Sequence, residues 1–250
     1  MSASTAKTVP LVILAAGRGQ RLGPLTAALP KCLIDVEGRS LLARQLEAAA
    51  RVSGLGPVVL VTGFARDVVM SRCGRGVVEC HNPRWADANN IVSLAAAAGA
   101  GWLDGGFALF NSDVLFHPGI LDRLLAFPRP CALAVDDRRS LGDEEMKVVA
   151  DPDGRIRAIA KTLDPAASRG EYIGLAKFGP QGAAAVKRAL GDLIEAGRTG
   201  DWYEAAFQSV FERLPVFACS TEGLPWTEVD TPADLEEARG LAARVEAVHA

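Results

Sequence analysis

The chain has 250 residues, 49% of them hydrophobic and 23% charged, with a formal net charge of −3. Such a length buries a substantial core as one large α/β domain or two small ones, and the composition excludes disordered and collagenous classes. Nonspecific nucleic-acid or anionic-membrane binding has no overall basic field to drive it, so any functional positive charge must be local.

The leading "MSASTAK" reads as a loose terminus, flexible over residues 1–8. "VPLVILAAG" follows with only Lys7 as a preceding charge and reads as a buried first strand rather than the apolar core of a signal peptide. No apolar run approaches the ~20 residues of a membrane span. Cys32, Cys73, Cys80, Cys131 and Cys219 are odd in number and form no C-x-x-C pair, which argues against a disulfide framework or a zinc site and fits a reducing cytoplasm. His81, His117 and His249 stand apart from one another and from the cysteines.

Apolar runs then alternate with amphipathic segments: "PLVILAA" with "SLLARQLEAAARV", "PVVLVTG" with "ARDVVMSRC", "GVVEC" with "NIVSLAAAAGA", "FALFNSD" with "PGILDRLLAF". That rhythm predicts βαβ units wound into a Rossmann-like, mainly parallel sheet. After "CALAVDD" the pattern changes, and "EEMKVVADPDGRIRAIA" reads as an antiparallel pair reversing at Asp151 to Gly154. "EYIGLAKF" reads as a strand, "AAAVKRALGDLIEAG" and "DWYEAAFQSVFERL" as helices, and "PVFACS" and "PWTEV" as late strands. A last helix starts at "TPADLEEAR", where Thr231 caps, Pro232 takes the first helical position and Asp234 closes a capping box. With no repeat, linker or composition shift, the expectation is one domain over residues 1–250, carrying an antiparallel elaboration at about 136–178.

Ligands of open parallel sheets sit beyond the carboxyl ends of the strands, so the residues after each apolar run carry the functional reading. The first such group is "LAAGRGQRL", Leu14 to Leu22, in which Leu14, Ala15, Ala16, Gly17, Arg18, Gly19 and Arg21 form a glycine turn able to bring backbone N–H groups to phosphate oxygens. Leu22 stands where the dinucleotide fingerprint needs a third glycine, and no G-x-x-x-x-G-K-[ST] occurs, so neither a nicotinamide site nor a P-loop fits. The second is Lys31, fixed behind Pro30 as a cation for developing phosphate charge. Asp113, after "GFALFNS", and Asp230, in "PWTEVDTP", are the third and fourth, and a carboxylate pair with substrate phosphates suits Mg2+. Each has a plain structural alternative: solvated arginines at a turn, and aspartates that start helices.

"LAAGRGQRLGPLTAALPKCLIDVEGRSLL" closely resembles the amino-terminal signature of the sugar- and alcohol-phosphate nucleotidyltransferases, a G-x-G-x-R-L turn followed by a P-K pair. "HNPRWADANNIVSLAAA", "FNSDVLF", "DEEMKVVADPDGRI" and "WTEVDTPADLEEA" follow in that family's order, and Asn89 to Leu94 is similar to the N-N-x-x-S-L segment of its bacterial phosphocholine cytidylyltransferase branch. The resemblance implies a GT-A-like nucleotidyltransferase fold and an enzyme of the EC 2.7.7 type. Such an enzyme condenses a nucleoside triphosphate, CTP by preference, with a small phosphomonoester or phosphonate and releases pyrophosphate. Carried onto these residues, it implies that Arg18, Lys31, Asp113 and Asp230 are catalytic, with Asp113 and Asp230 on Mg2+. The turn from Leu14 to Arg21, Lys31, Asn90 and Ser93 would bind the nucleotide.

Acceptor candidates are Glu145, Lys147, Glu171, Tyr203 and Trp226, with lysine meeting a phosphate, carboxylates an amine or hydroxyl, and aromatic faces a quaternary ammonium. Alternation on a half-exposed strand explains Glu144, Glu145 and Lys147 equally well. "DEEMKV" has no tryptophan where the phosphocholine enzymes carry an aromatic, and Glu204 stands near where another would lie, leaving phosphocholine, phosphoethanolamine, aminoethylphosphonate and polyol phosphates open. The alternatives are a sugar-1-phosphate nucleotidylyltransferase using UTP, GTP or dTTP, and a catalytically silent nucleotide-binding regulatory module. The expected protein is cytoplasmic, a monomer or homodimer, with no nucleic-acid partner and no membrane insertion.

Overall fold

The apolar run that opens the chain becomes the middle of a sheet. The computed structural model describes residues 8–246, so the flexible terminus expected over residues 1–8 lies, apart from Thr8, outside the described residues. In β1 (Val9–Ala15) the consecutive residues Leu11, Val12, Ile13 and Leu14 are all buried. Val12 and Leu14 belong to one core, Leu11 and Ile13 to another. Side chains alternate across a strand, so a run apolar at every position requires cover on both faces.

No α-helix follows β1 directly. Residues Gln20–Thr26 and Lys31–Leu33 form turns of 3-10 helix, and a hairpin of β2 (Asp35–Val36) and β3 (Arg39–Ser40) leads into α1 (Leu41–Arg51), capped by Ser40. The connection from β1 to the helix expected at "SLLARQLEAAARV" is therefore a long loop. Its anchor is Leu22, fully buried among Ile34, Val36, Leu41, Leu115 and the last helix; the position lacking the third glycine is a core position.

The alternation read from the sequence continues through β4 (Leu55–Thr62), α2 (Arg66–Ser71), β5 (Val77–His81), α3 (Asn90–Gly99) and β6 (Phe107–Asn111). Next come β7 (Val114–Phe116), α4 (Pro118–Ala126) and β8 (Cys131–Asp136). The second half consists of β9 (Lys147–Ala150), β10 (Ile156–Ala160), β11 (Gly170–Phe178), α5 (Pro180–Glu195), α6 (Glu204–Phe211), β12 (Phe217–Ser220), β13 (Trp226–Glu228) and α7 (Pro232–Glu246).

The main sheet has nine strands, ordered β10-β9-β11-β6-β1-β4-β5, with β8 also pairing β11 and carrying β12. Strands β6, β1, β4 and β5 are parallel neighbours, while β11 runs antiparallel to β6, β8 and β9. The fold is mixed α/β with a mainly parallel centre, as expected, and β9 and β10 form the expected antiparallel hairpin, with Gly154 N–H donating to Asp151 O at 2.9 Å. After β5 the chain returns to the opposite side of β1. That reversal opens a crevice beyond the carboxyl ends of β1 and β6.

No local pattern announces the pairing of β7 with β13, which joins Glu228 to Val114 and Trp226 to Phe116 in a separate antiparallel ribbon. This pairing brings the end of the chain to the crevice. Among the described residues, no helix is long and apolar enough to cross a membrane.

Candidate active site

Around the crevice, Lys31 lies at the centre. Pro30 sets the start of its 3-10 turn, Leu33 and Ile34 donate N–H groups back to Pro30 and Lys31, and Cys32 and Leu33 are buried beneath it. The Lys31 Nζ donates to Asp113 Oδ2 at 2.7 Å and to Asp230 Oδ1. Arg21 Nη2 donates to the other oxygen of Asp230. Gly19 makes room for this arrangement: its φ is +75°, and a Cβ there would stand 2.7 Å from Lys31 Cβ. Gly17 differs, with nothing within 4 Å of where its Cβ would be, so the loop is open on that side.

Each aspartate is held by its neighbours. Asp113 occupies the turn between β6 and β7, a strand-to-strand reversal and not the helix start considered from sequence. Gln45 Nε2 brackets it, donating to Asn111 O at 2.9 Å and Val114 O at 2.8 Å. Val229 N–H donates to Asp113 O at 2.9 Å, which ties this turn to the segment carrying Asp230. The expected capping box is present: Asp234 Oδ2 accepts from the backbone N–H groups of Asp230 and Thr231 at 2.9 and 2.7 Å, and Asp234 N–H donates to Thr231 Oγ1 at 3.3 Å.

A third carboxylate, missed in the sequence, joins the pair. Asp113, Glu228 and Asp230 each offer an oxygen, and these lie within 4.8 Å of one another. Its signal was available in "TEVD": residues two apart at a strand end share a face. The crowding shows in the titrations. Burial alone would lower the Lys31 ammonium, but the charges of Asp113, Asp230 and Glu228 outweigh it and raise it. Burial would raise Asp230, and Lys31 and Arg21 hold it below the usual carboxylate range. For Glu228 the pull of Lys31 is outweighed: desolvation by the surrounding protein and the charges of Asp113 and Asp230 push it up to about 8.

The remaining nucleotide candidates scatter. Arg18 does not touch the carboxylates; its guanidinium lies 5.2 Å from the Phe64 ring centroid, and it reaches Ala27 O at 3.4 Å. Ala16 O accepts from Phe64 N at 3.0 Å, which fixes the loop against the end of β4. Asn89 caps α3, but Asn90 Oδ1 accepts the Tyr203 N–H at 3.0 Å and the buried Ser93 hydroxyl is bonded to Asn82 Nδ2 at 3.0 Å. Both polar groups are engaged within the chain.

On the acceptor side the structure separates the candidates. Glu145 and Glu171 border a cleft of about 290 Å3 with Arg21, Arg139, Glu228 and Asp230. Burial and the neighbouring Glu145 push Glu171 up to about 7, against the pull of Arg139. Lys147 is 1% exposed and donates to the carbonyls of Gly142, Asp143 and Glu145 at 2.8, 3.2 and 3.3 Å, so its ammonium fastens the loop before β9 and is not presented to an acceptor phosphate. Tyr203 is fully buried, its hydroxyl bonded to Asn111 Oδ1 at 2.9 Å and Tyr172 Oη at 3.1 Å, and offers no aromatic face to a ligand. Trp226 borders the cleft, but the Arg139 guanidinium already stands 4.7 Å from its ring centroid and its Nε1 donates to Asp136 at 2.6 Å.

The exposed aromatic is Trp202 instead, 44% accessible, with Lys161 Nζ 5.0 Å from its centroid. Trp202 and Lys161 line an adjoining cavity of about 320 Å3 together with Glu204. Glu204 is buried, its Oε2 has no hydrogen-bond partner, and burial pushes its carboxyl up to about 7.

Comparison with known proteins adds identity to this geometry. The family model for the MobA-like NTP transferase domain matches residues 11–247. Over 138 residues the chain is 38% identical to CMP-5'-(3-aminopropyl)phosphonate synthase of Streptomyces rubellomurinus, covering 52% of this chain and 22% of that protein. Over 235 residues it is 32% identical to a bifunctional IPC transferase and DIPP synthase of Rubrobacter xylanophilus, covering 91% of this chain and 50% of that one. The chain thus spans half or less of the length of these two curated relatives. The solved structure of CTP:phosphocholine cytidylyltransferase from Streptococcus pneumoniae superposes with a TM-score of 0.77 at 21% identity, covering 94% of this chain and 99% of that one, a likeness of fold and the expected GT-A-like architecture.

Proposed function

The chain belongs to the family of MobA-like NTP transferase domains, and we infer that it condenses CTP with a small phosphonate or alcohol phosphate, with release of pyrophosphate. The observation that carries this reading is the convergence of Lys31 and Arg21 with Asp113, Glu228 and Asp230 beyond the glycine turn of β1. A cytidine nucleotide is supported by what two similar proteins are named for, a CMP-phosphonate in one and CTP with phosphocholine in the other.

The donor set fits Mg2+. Carboxylate oxygens are the hard ligands this ion prefers, and Asp113 Oδ1 is buried without a hydrogen-bond partner among the described residues. Asp113, Asp230 and Glu228 would hold the ion, whose charge would neutralise triphosphate oxygens. The chain's own residues do the rest. The open turn at Gly17 offers backbone N–H groups to the phosphates, and Lys31 and Arg21 place fixed positive charge where pyrophosphate departs. An acceptor oxygen attacks the α-phosphorus; the new P–O bond forms as the bond from that phosphorus to the β-phosphate oxygen breaks, and pyrophosphate leaves with the electron pair. The acceptor anion is already nucleophilic, so positioning and charge stabilisation suffice without a general base.

For the acceptor we favour an aminoalkyl compound. The Glu204 carboxylate, whose Oε2 has no hydrogen-bond partner among the described residues, lies beside the exposed ring of Trp202 and suits an ammonium group, by charge and by cation–π attraction. Pyrophosphate release measured for each nucleoside triphosphate against aminoalkylphosphonates, phosphoethanolamine, phosphocholine, inositol phosphate and sugar 1-phosphates tests the reading. Release is expected with CTP and an amine-bearing acceptor. Release only with UTP and a sugar 1-phosphate would replace it, and no release with any pair would refute it.

A further inference from the structure

Helix α7 begins at the carboxylate cluster and ends at a second concentration of charge. There a cavity of about 150 Å3 lies between α1, the start of α4 and the last turn of α7, bordered by Arg39, Arg44, Arg51 and Glu246 with Phe116 and Val245. It shares no residue with the cleft.

Arg44 is the informative member. Its side chain is only 8% exposed, Nη1 donates to Glu246 and Nη2 to the Val36 carbonyl, and its Nε is buried with no partner. A buried guanidinium N–H without an acceptor is a cost to the fold, and the residue lines a space where an acceptor fits. Arg39 donates to Glu47 at 2.8 Å and to Glu246. Arg51 forms no ion pair among the described residues.

The charges around the cavity are unequal. The guanidinium groups of Arg39, Arg44 and Arg51 face the carboxylates of Glu47 and Glu246, one positive charge in excess. Glu246 stands at the end of the last helix with its side chain 41% exposed, a tethered carboxylate lodged between two arginines. Once it is displaced, the excess becomes two, the charge of a phosphate dianion. Planar guanidinium forks match phosphate oxygens in pairs, and the apolar walls weaken the competition from water.

We propose that this cavity binds a small phosphate-type dianion, gripped by Arg39, Arg44 and Arg51, with Glu246 as the carboxylate it displaces. The site is independent of the reaction inferred above. It is also wired to the cleft: α7 fixes Asp230 through Asp234 in its first turn, and Arg44 precedes Gln45, whose amide brackets Asp113.

The test is a titration of the full chain with inorganic phosphate, against chloride at matched ionic strength, followed by the arginine side-chain Nε–H resonances. The Arg44 Nε–H signal should move saturably with phosphate and not with chloride. Arg39→Ala and Arg51→Ala should each weaken binding about tenfold or more, the effect of losing one charged partner, and Glu246→Gln should tighten it by removing the internal competitor. An Arg44 signal that stays still, or one that moves alike with chloride, overturns the proposal on the unaltered protein. Phosphate affinity in both arginine variants equal to that of the unaltered protein overturns it as well.

Discussion

The two ends of the crevice, the one proposed for the nucleotide and the one proposed for the acceptor, use polar side chains differently. At the nucleotide end, Lys31, Asp113 and Asp230 come from separate elements and neutralise one another at the cleft, with the aspartate side chains about one-fifth exposed. At the acceptor end, Lys147 and Tyr203 lie under the surface, and their polar groups are consumed by backbone carbonyls and by Asn111 and Tyr172. Burial decides whether a polar group serves the ligand or the fold: a fully covered donor must be satisfied by the protein, and is then no longer free for a substrate.

The sharpest break of this contrast comes at Asp113. Asp113→Asn should lower turnover by about 10²–10³-fold or more while nucleotide binding stays detectable by calorimetry; full activity would remove the carboxylate cluster from the mechanism. Gly19→Ala is the next largest. Its added methyl group meets Lys31 Cβ in a left-handed backbone, and a displaced lysine should cost about 10²-fold in turnover at saturating nucleotide.

Lys147→Met should act on stability, lowering the unfolding free energy in urea by about 1–3 kcal/mol because buried carbonyls lose their donor. Turnover per folded molecule should remain far above that of Asp113→Asn; an equal loss of turnover without destabilisation would return Lys147 to the acceptor. Tyr203→Phe should be the mildest, about 1 kcal/mol in the same measurement.

Glu204 lies between the two kinds of site and gives a pH signature. Its folded carboxyl ionises at about 7 against an ordinary 4.5, so the folded chain holds a proton that the unfolded chain has lost in that interval. Stability therefore falls as pH rises from about 4.5 to about 7, and the deficit is fully present above that window. Glu204→Gln should flatten this dependence and raise stability above pH 7 by as much as about 3 kcal/mol, while weakening an amine-bearing acceptor. An unchanged pH slope would show that burial does not govern this group.

Much of the molecule was legible before any coordinates. The apolar runs and the amphipathic segments between them located the parallel strands and their helices, "DPDG" located the antiparallel reversal, and the Thr231–Asp234 box fixed the start of the last helix, because each is a local property of a few neighbouring residues. The glycine turn, Lys31, Asp113 and Asp230 were legible as well, since strand ends in a parallel sheet collect at one edge.

What lay beyond the sequence was every question of which side chain faces which. The pairing of β7 with β13 brings Glu228 beside residues more than a hundred positions earlier. A tyrosine, a lysine and a tryptophan chosen for their chemistry proved to be enclosed, or already stacked, once α6 and β11 closed over the core. The sequence by itself determined the elements, their alternation and the residues at the nucleotide end. The spacing in "TEVD" puts Glu228 on one face with Asp230, but only the tertiary structure decided that it meets Asp113, and what lines the acceptor end, because burial and long-range pairing depend on how distant segments pack.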